Sequence, residues 1–79
     1  MKKFDKINGY NIIKSDINDI FIDRRSNTNV ILTYKSCEKN FIFAQFKEIN
    51  KDGSVSKFGF VFTDNLMCGG AKFGRRNRL

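Results

Sequence analysis

A small β-rich domain, an antiparallel meander of four to five strands with one short helix near residues 15–25 as an option, is the fold this 79-residue chain predicts. Residues 30–35, 41–49 and 56–63 are rich in β-branched and aromatic side chains at strand spacing. Short polar clusters at residues 36–40 and 50–54 separate them, the length of hairpin loops rather than of crossovers. Only residues 15–25 offer a helical period.

From the start of the chain, residues 1–8 are polar and basic, with Phe4 and Ile7 as anchors. Asn8-Gly9 is a turn dipeptide, and residues 10–14 are expected to extend as a short strand. Residues 15–25 fit two templates. Ile13, Ile17, Ile20 and Phe21 recur at i, i+4, i+7 and i+8, with Ser15 as cap and Arg24 and Arg25 at the far end. The rival is a turn over residues 15–19 followed by a strand over 20–24, and poor intrinsic helicity from isoleucine, Asp and Asn tilts toward it. Residues 26–29 read as a hairpin loop. Residues 41–49 are apolar on both faces at first, which suits a central strand. Asp52-Gly53 marks the tip of the next turn.

In the strand over residues 56–64, Phe58, Phe60 and Phe62 alternate with Gly59, Val61 and Thr63, so the three rings line one face. They need a core, a second subunit or a flat ligand. Residues 1–64 are read as one β-rich domain and residues 65–79 as a flexible basic tail. That tail holds Lys72, Arg75, Arg76 and Arg78 and no acidic residue, four of the seven net positive charges.

Composition bounds function. A net charge of +7 on 9.2 kDa favours polyanions through counterion release. Without histidine the usual general base near neutral pH is missing, so a non-enzymatic protein with no cofactor and no metal is expected. Two cysteines make no disulfide framework and read as free thiols in a reducing, cytoplasmic setting. No apolar run is long enough to span a membrane. So short a chain has a thin stability margin, for which a homodimer is the expected remedy. The weight of Lys, Asn, Ile and Phe fits an AT-rich genome and a phage accessory protein acting in the host cytoplasm.

Phe58-Gly59-Phe60-Val61 resembles the centre of the RNP1 motif of RNA recognition motifs and cold-shock domains. That resemblance implies exposed rings on a strand, stacking on unpaired bases. It covers four residues; Ser56, Lys57 and Thr63 depart from the flanking pattern, and neither family is assigned. The candidate nucleic-acid contacts are therefore Lys72, Arg75, Arg76 and Arg78 on phosphate, Lys57, Arg24 and Arg25 in support, and Phe58 and Phe60 as stacking rings. RNA or single-stranded nucleic acid is favoured over duplex DNA because no recognition helix is evident. The alternative is a phage-encoded protein inhibitor of a host nuclease, toxin or other nucleic-acid-handling factor, acting through shared RNA or by docking directly.

Overall fold

A computed structural model describes residues 1–65. The elements run β1 (Lys3–Phe4), α1 (Gly9–Lys14), β2 (Ile20–Asp23), β3 (Thr28–Glu38), β4 (Phe41–Ile49) and β5 (Val55–Asn65). They form one five-stranded sheet in the order β1-β2-β3-β4-β5. β2 to β5 are the expected antiparallel meander, and β1 adds a short parallel pair beside β2.

The single short helix lies one turn upstream of the stretch with the helical period. Residues 10–14, expected as a strand, belong to it. Asn8 is its N-cap rather than part of a turn dipeptide, its Oδ1 accepting from Asn11 N at 2.8 Å. Ile12, 1% exposed, plugs the helix into the core. Residues 15–19 turn instead of continuing. The Asp19 carboxylate accepts from Asp16 N and Lys2 N, and Asn18 N donates to Leu32 O at 2.8 Å. These bonds hand the chain to β2, so the strand template wins over residues 20–23.

The core is Ile12, Phe21, Val30, Leu32, Ile42, Ala44 and Phe46. Rings cross it in sequence: Phe4 stacks on Phe21 at 4.8 Å, Phe21 meets Phe46 edge-on at 5.1 Å, and Phe46 stacks on Phe60 at 5.3 Å. β4 is flanked by strands on both sides, as its apolarity suggested. Its covered face is Ile42, Ala44 and Phe46; Gln45 and Lys47 on the other face are exposed.

Register shifts between Leu32 and Tyr34 on β3 and between Lys47 and Ile49 on β4 bend the sheet. The bend carries β5 toward the far end of β2. Cys37 is disulfide-bonded, which corrects the expectation of a free thiol there and removes the argument from thiols to a reducing compartment. Among the described residues no helix is long and apolar enough to cross a membrane.

Candidate nucleic-acid interface

The bent sheet leaves a cleft of about 480 Å³ between the end of β2 and β5, the edge strand among the described residues. Ile22, Asp23, Arg24 and Arg25 form one wall and residues 60–63 the other; Lys6 and Ile7, from the segment between β1 and α1, close one side. Two bulges and a β1 of only two residues make this gap, because β1 ends at Phe4, opposite Phe21, and leaves the rest of β2 uncovered.

Arg24 and Arg25 follow β2 directly and are held differently. Arg24 Nε donates to Asp5 O at 2.9 Å, and its Nη2 lies 3.7 Å from Asp5 Oδ2. Arg25 Nε lies 3.7 Å from Asp23 Oδ1, while its Cζ sits 6.0 Å from the centroid of Phe60. Both guanidinium groups are largely exposed, and ion pairs of this kind contribute only about 0–1 kcal/mol. A phosphate can therefore compete for either guanidinium. Asp23 is otherwise committed, accepting from Arg25 N and from Ser26 Oγ, both at 3.1 Å. Lys6, Arg24 and Arg25 against Asp5 and Asp23 leave the rim cationic.

Three of the residues singled out from sequence meet here: Arg24, Arg25 and Phe60. Phe60 serves differently from a stacking platform, since Phe46 occupies one side of its ring and Arg25 lies over it. Its contribution is to position Arg25. Phe62, half-buried, packs beside it against the core. Lys57 and Phe58 lie earlier on β5 and do not line the cleft; Phe58 is 68% exposed and is the ring of the three free to stack. Lys72, Arg75, Arg76 and Arg78, with the proposed tail, lie outside the described residues.

Gly59, the glycine of the RNP1-like stretch, has a packing reason. A Cβ there would come within 2.1 Å of Phe46 O, so β5 can approach β4 only with hydrogen at this position. Other scattered lysines do not converge on the cleft: Lys35 is bonded to the end of α1, and Lys47 lies on the opposite face of the sheet. Lys6 carried no sequence signal, whereas Ile7 reads as an anchor and Phe62 is marked by the alternation of β5. Among the described residues no group of three His, Cys, Asp or Glu side chains could hold a metal ion. The chain matches no family model, no curated protein and no solved structure.

Proposed function

We propose that this protein is a small, basic, non-enzymatic binder of RNA or single-stranded nucleic acid. Arg24, Arg25 and Lys6 take phosphates at the mouth of the cleft, Phe58 and Lys57 extend the contact along β5, and Lys72, Arg75, Arg76 and Arg78 add phosphate contacts from the C-terminal segment. The observation that supports this best is Arg25 lying over Phe60. The ring lies at the edge of cation–π range of the guanidinium, which stays largely exposed and so keeps N–H groups for an anion. The net charge of +7 supplies the long-range attraction. A homodimer and an origin as a phage accessory protein remain part of this reading.

The test is binding of a labelled single-stranded oligonucleotide across a salt series, with the mass of the free protein measured alongside. Affinity should fall steeply with salt, and the R24Q/R25Q protein should bind more weakly with a shallower slope. Salt-independent binding, or none, overturns the proposal.

A second reading has one observation in its favour. Among the described residues β5 pairs only with β4, so an 11-residue edge strand offers itself to strand addition by another protein. An inhibitor of a host nuclease or toxin could dock there. Pull-down before and after RNase treatment separates the two: a partner that survives the nuclease favours direct docking.

A further inference from the structure

The sheet has a second depression, on the face turned away from the core. It is a shallow recess of about 270 Å³, bordered by Thr33, Gln45, Lys47 and Val61 and floored by the backbone around Gly59. Tyr34 pairs with Gln45 in the β3–β4 ladder and Val61 pairs with Gln45 from β5, so all three share this face. Tyr34 is 49% exposed, and its ring stands edge-to-face against Phe43 at 6.0 Å, which fixes the orientation of its remaining surface. Tyr34 lies just outside the recess, on the Phe43 side of Gln45, and Lys47 supplies a cation within it. Thr33 Oγ1 is already donating to Gln45 O at 3.1 Å, which leaves the Gln45 side-chain amide as the exposed hydrogen-bonding group.

The cleft and the recess lie on opposite faces of β5 and share two lining residues, Phe60 and Val61. Resting on the nucleic-acid reading above, we infer that one single strand bends over the edge of β5. Its phosphates lie in the cleft against Arg24, Arg25 and Lys6; its backbone crosses the recess beside Gln45 and Lys47, and one unstacked base stacks on the exposed ring of Tyr34 beyond it. A duplex, stiff over about 150 base pairs, cannot fold around one edge strand, whereas a single strand can. This route explains why the ligand is single-stranded rather than merely anionic. This face also suits a nucleic-acid strand better than a second apolar sheet. Gln45 and Lys47 interleave with the apolar side chains, and a dry interface would bury their polar ends without partners.

The test uses fluorescence anisotropy with a labelled 12-nucleotide oligouridylate and the matching duplex. A second readout is tyrosine emission in the Y10F protein, where Tyr34 is the sole tyrosine. The Y34A protein should bind the single strand at least about tenfold more weakly with an unchanged salt slope. Y34F should bind nearly as the parent does, and Tyr34 emission should be quenched saturably by the oligonucleotide. R24Q/R25Q should instead flatten the salt slope. Parent-like binding by Y34A without quenching, while R24Q/R25Q weakens, overturns the Tyr34 contact and leaves the cleft reading standing. A duplex bound as tightly as the single strand overturns the route over β5. Failure of the parent to bind either ligand overturns both proposals.

Discussion

The ammonium of Lys35, on β3, donates to the carbonyl oxygen of Ile12 at 3.0 Å, at the end of a helix 23 residues earlier in the chain. The same Nζ donates to Ile13 O at 3.2 Å and to Ser15 O, and Lys2 Nζ donates to Lys14 O at 3.1 Å. Two lysines thus cover the orphan carbonyls of a six-residue helix too short to persist alone. Replacing Lys35 by methionine keeps the apolar stem and removes the donor. The K35M protein should lose about 1.5–3 kcal/mol in urea unfolding, the range for hydrogen bonds from charged groups. A loss under about 0.5 kcal/mol would show the contact to be incidental.

Gly59 yields a second stability prediction. Because an added methyl would meet the Phe46 carbonyl, relief requires moving one backbone strand rather than rotating a side chain. The G59A protein should be destabilised by about 1–3 kcal/mol or fail to fold. G53A, at the exposed loop tip where φ is +90° and nothing lies within 4 Å of a new Cβ, should cost less, through backbone strain alone. Paired thermal melts decide the order; a more stable G59A protein would refute the close approach.

The three long strands were legible because each alternates and each is bounded by turn residues. The loop after β4 even places Gly53 where a positive φ is needed. The helix was not legible. Gly9, Asn11 and two isoleucines have little helical propensity, and its stability comes from Ile12 in the core and from Lys35 and Lys2 at its end. The cleft was half legible. Arg24, Arg25 and the β5 rings were visible as residue types. Arg25 and Phe60, however, lie 35 positions apart and meet only because two irregular registers bend the sheet. Of the three rings predicted to share a face, Phe60 and Phe62 do so, opposite Phe46 and Ala44, and pack on the core. Phe58 falls at the irregular register between Gly59 and Val55 and stays exposed.

Asp19 makes stability depend on pH with a definite sign. Its carboxyl is held below the ordinary value of 3.8, first by the Lys2 N–H at 2.8 Å and then by the Asp16 N–H at 2.7 Å, with burial working weakly the other way. A folded value below the unfolded one means the stabilisation is fully present above about pH 4–5. It is lost as pH falls through the depressed folded value. Asp52, held down by the Ser54 hydroxyl and N–H, adds a contribution of the same sign. The D19N protein should be less stable than the parent at pH 7 and should show a flatter loss of stability on acidification. Urea unfolding at a series of pH values tests this, and identical acid limbs for the two proteins would refute it.

The C-terminal cations give the sharpest separation of electrostatic roles. Lys72, Arg75, Arg76 and Arg78 carry +4 of the net +7, leaving +3 for residues 1–65, from eleven basic and eight acidic side chains. On a single strand each phosphate neutralised contributes a slope of about −0.7 in log affinity against log salt. If all four reach phosphate, a chain ending at residue 71 should lose about 2.8 from that slope, whereas R24Q/R25Q should lose about 1.4. Combining the two should leave a shallow slope of about −1.4 from Lys6 and Lys57, with the salt-insensitive contribution of Tyr34 and Phe58. Both partial proteins should keep the parent's thermal melt if these charges act on the ligand and not on the fold. An unchanged slope in the shortened chain removes the four C-terminal cations from the binding site and assigns the salt dependence to the cleft.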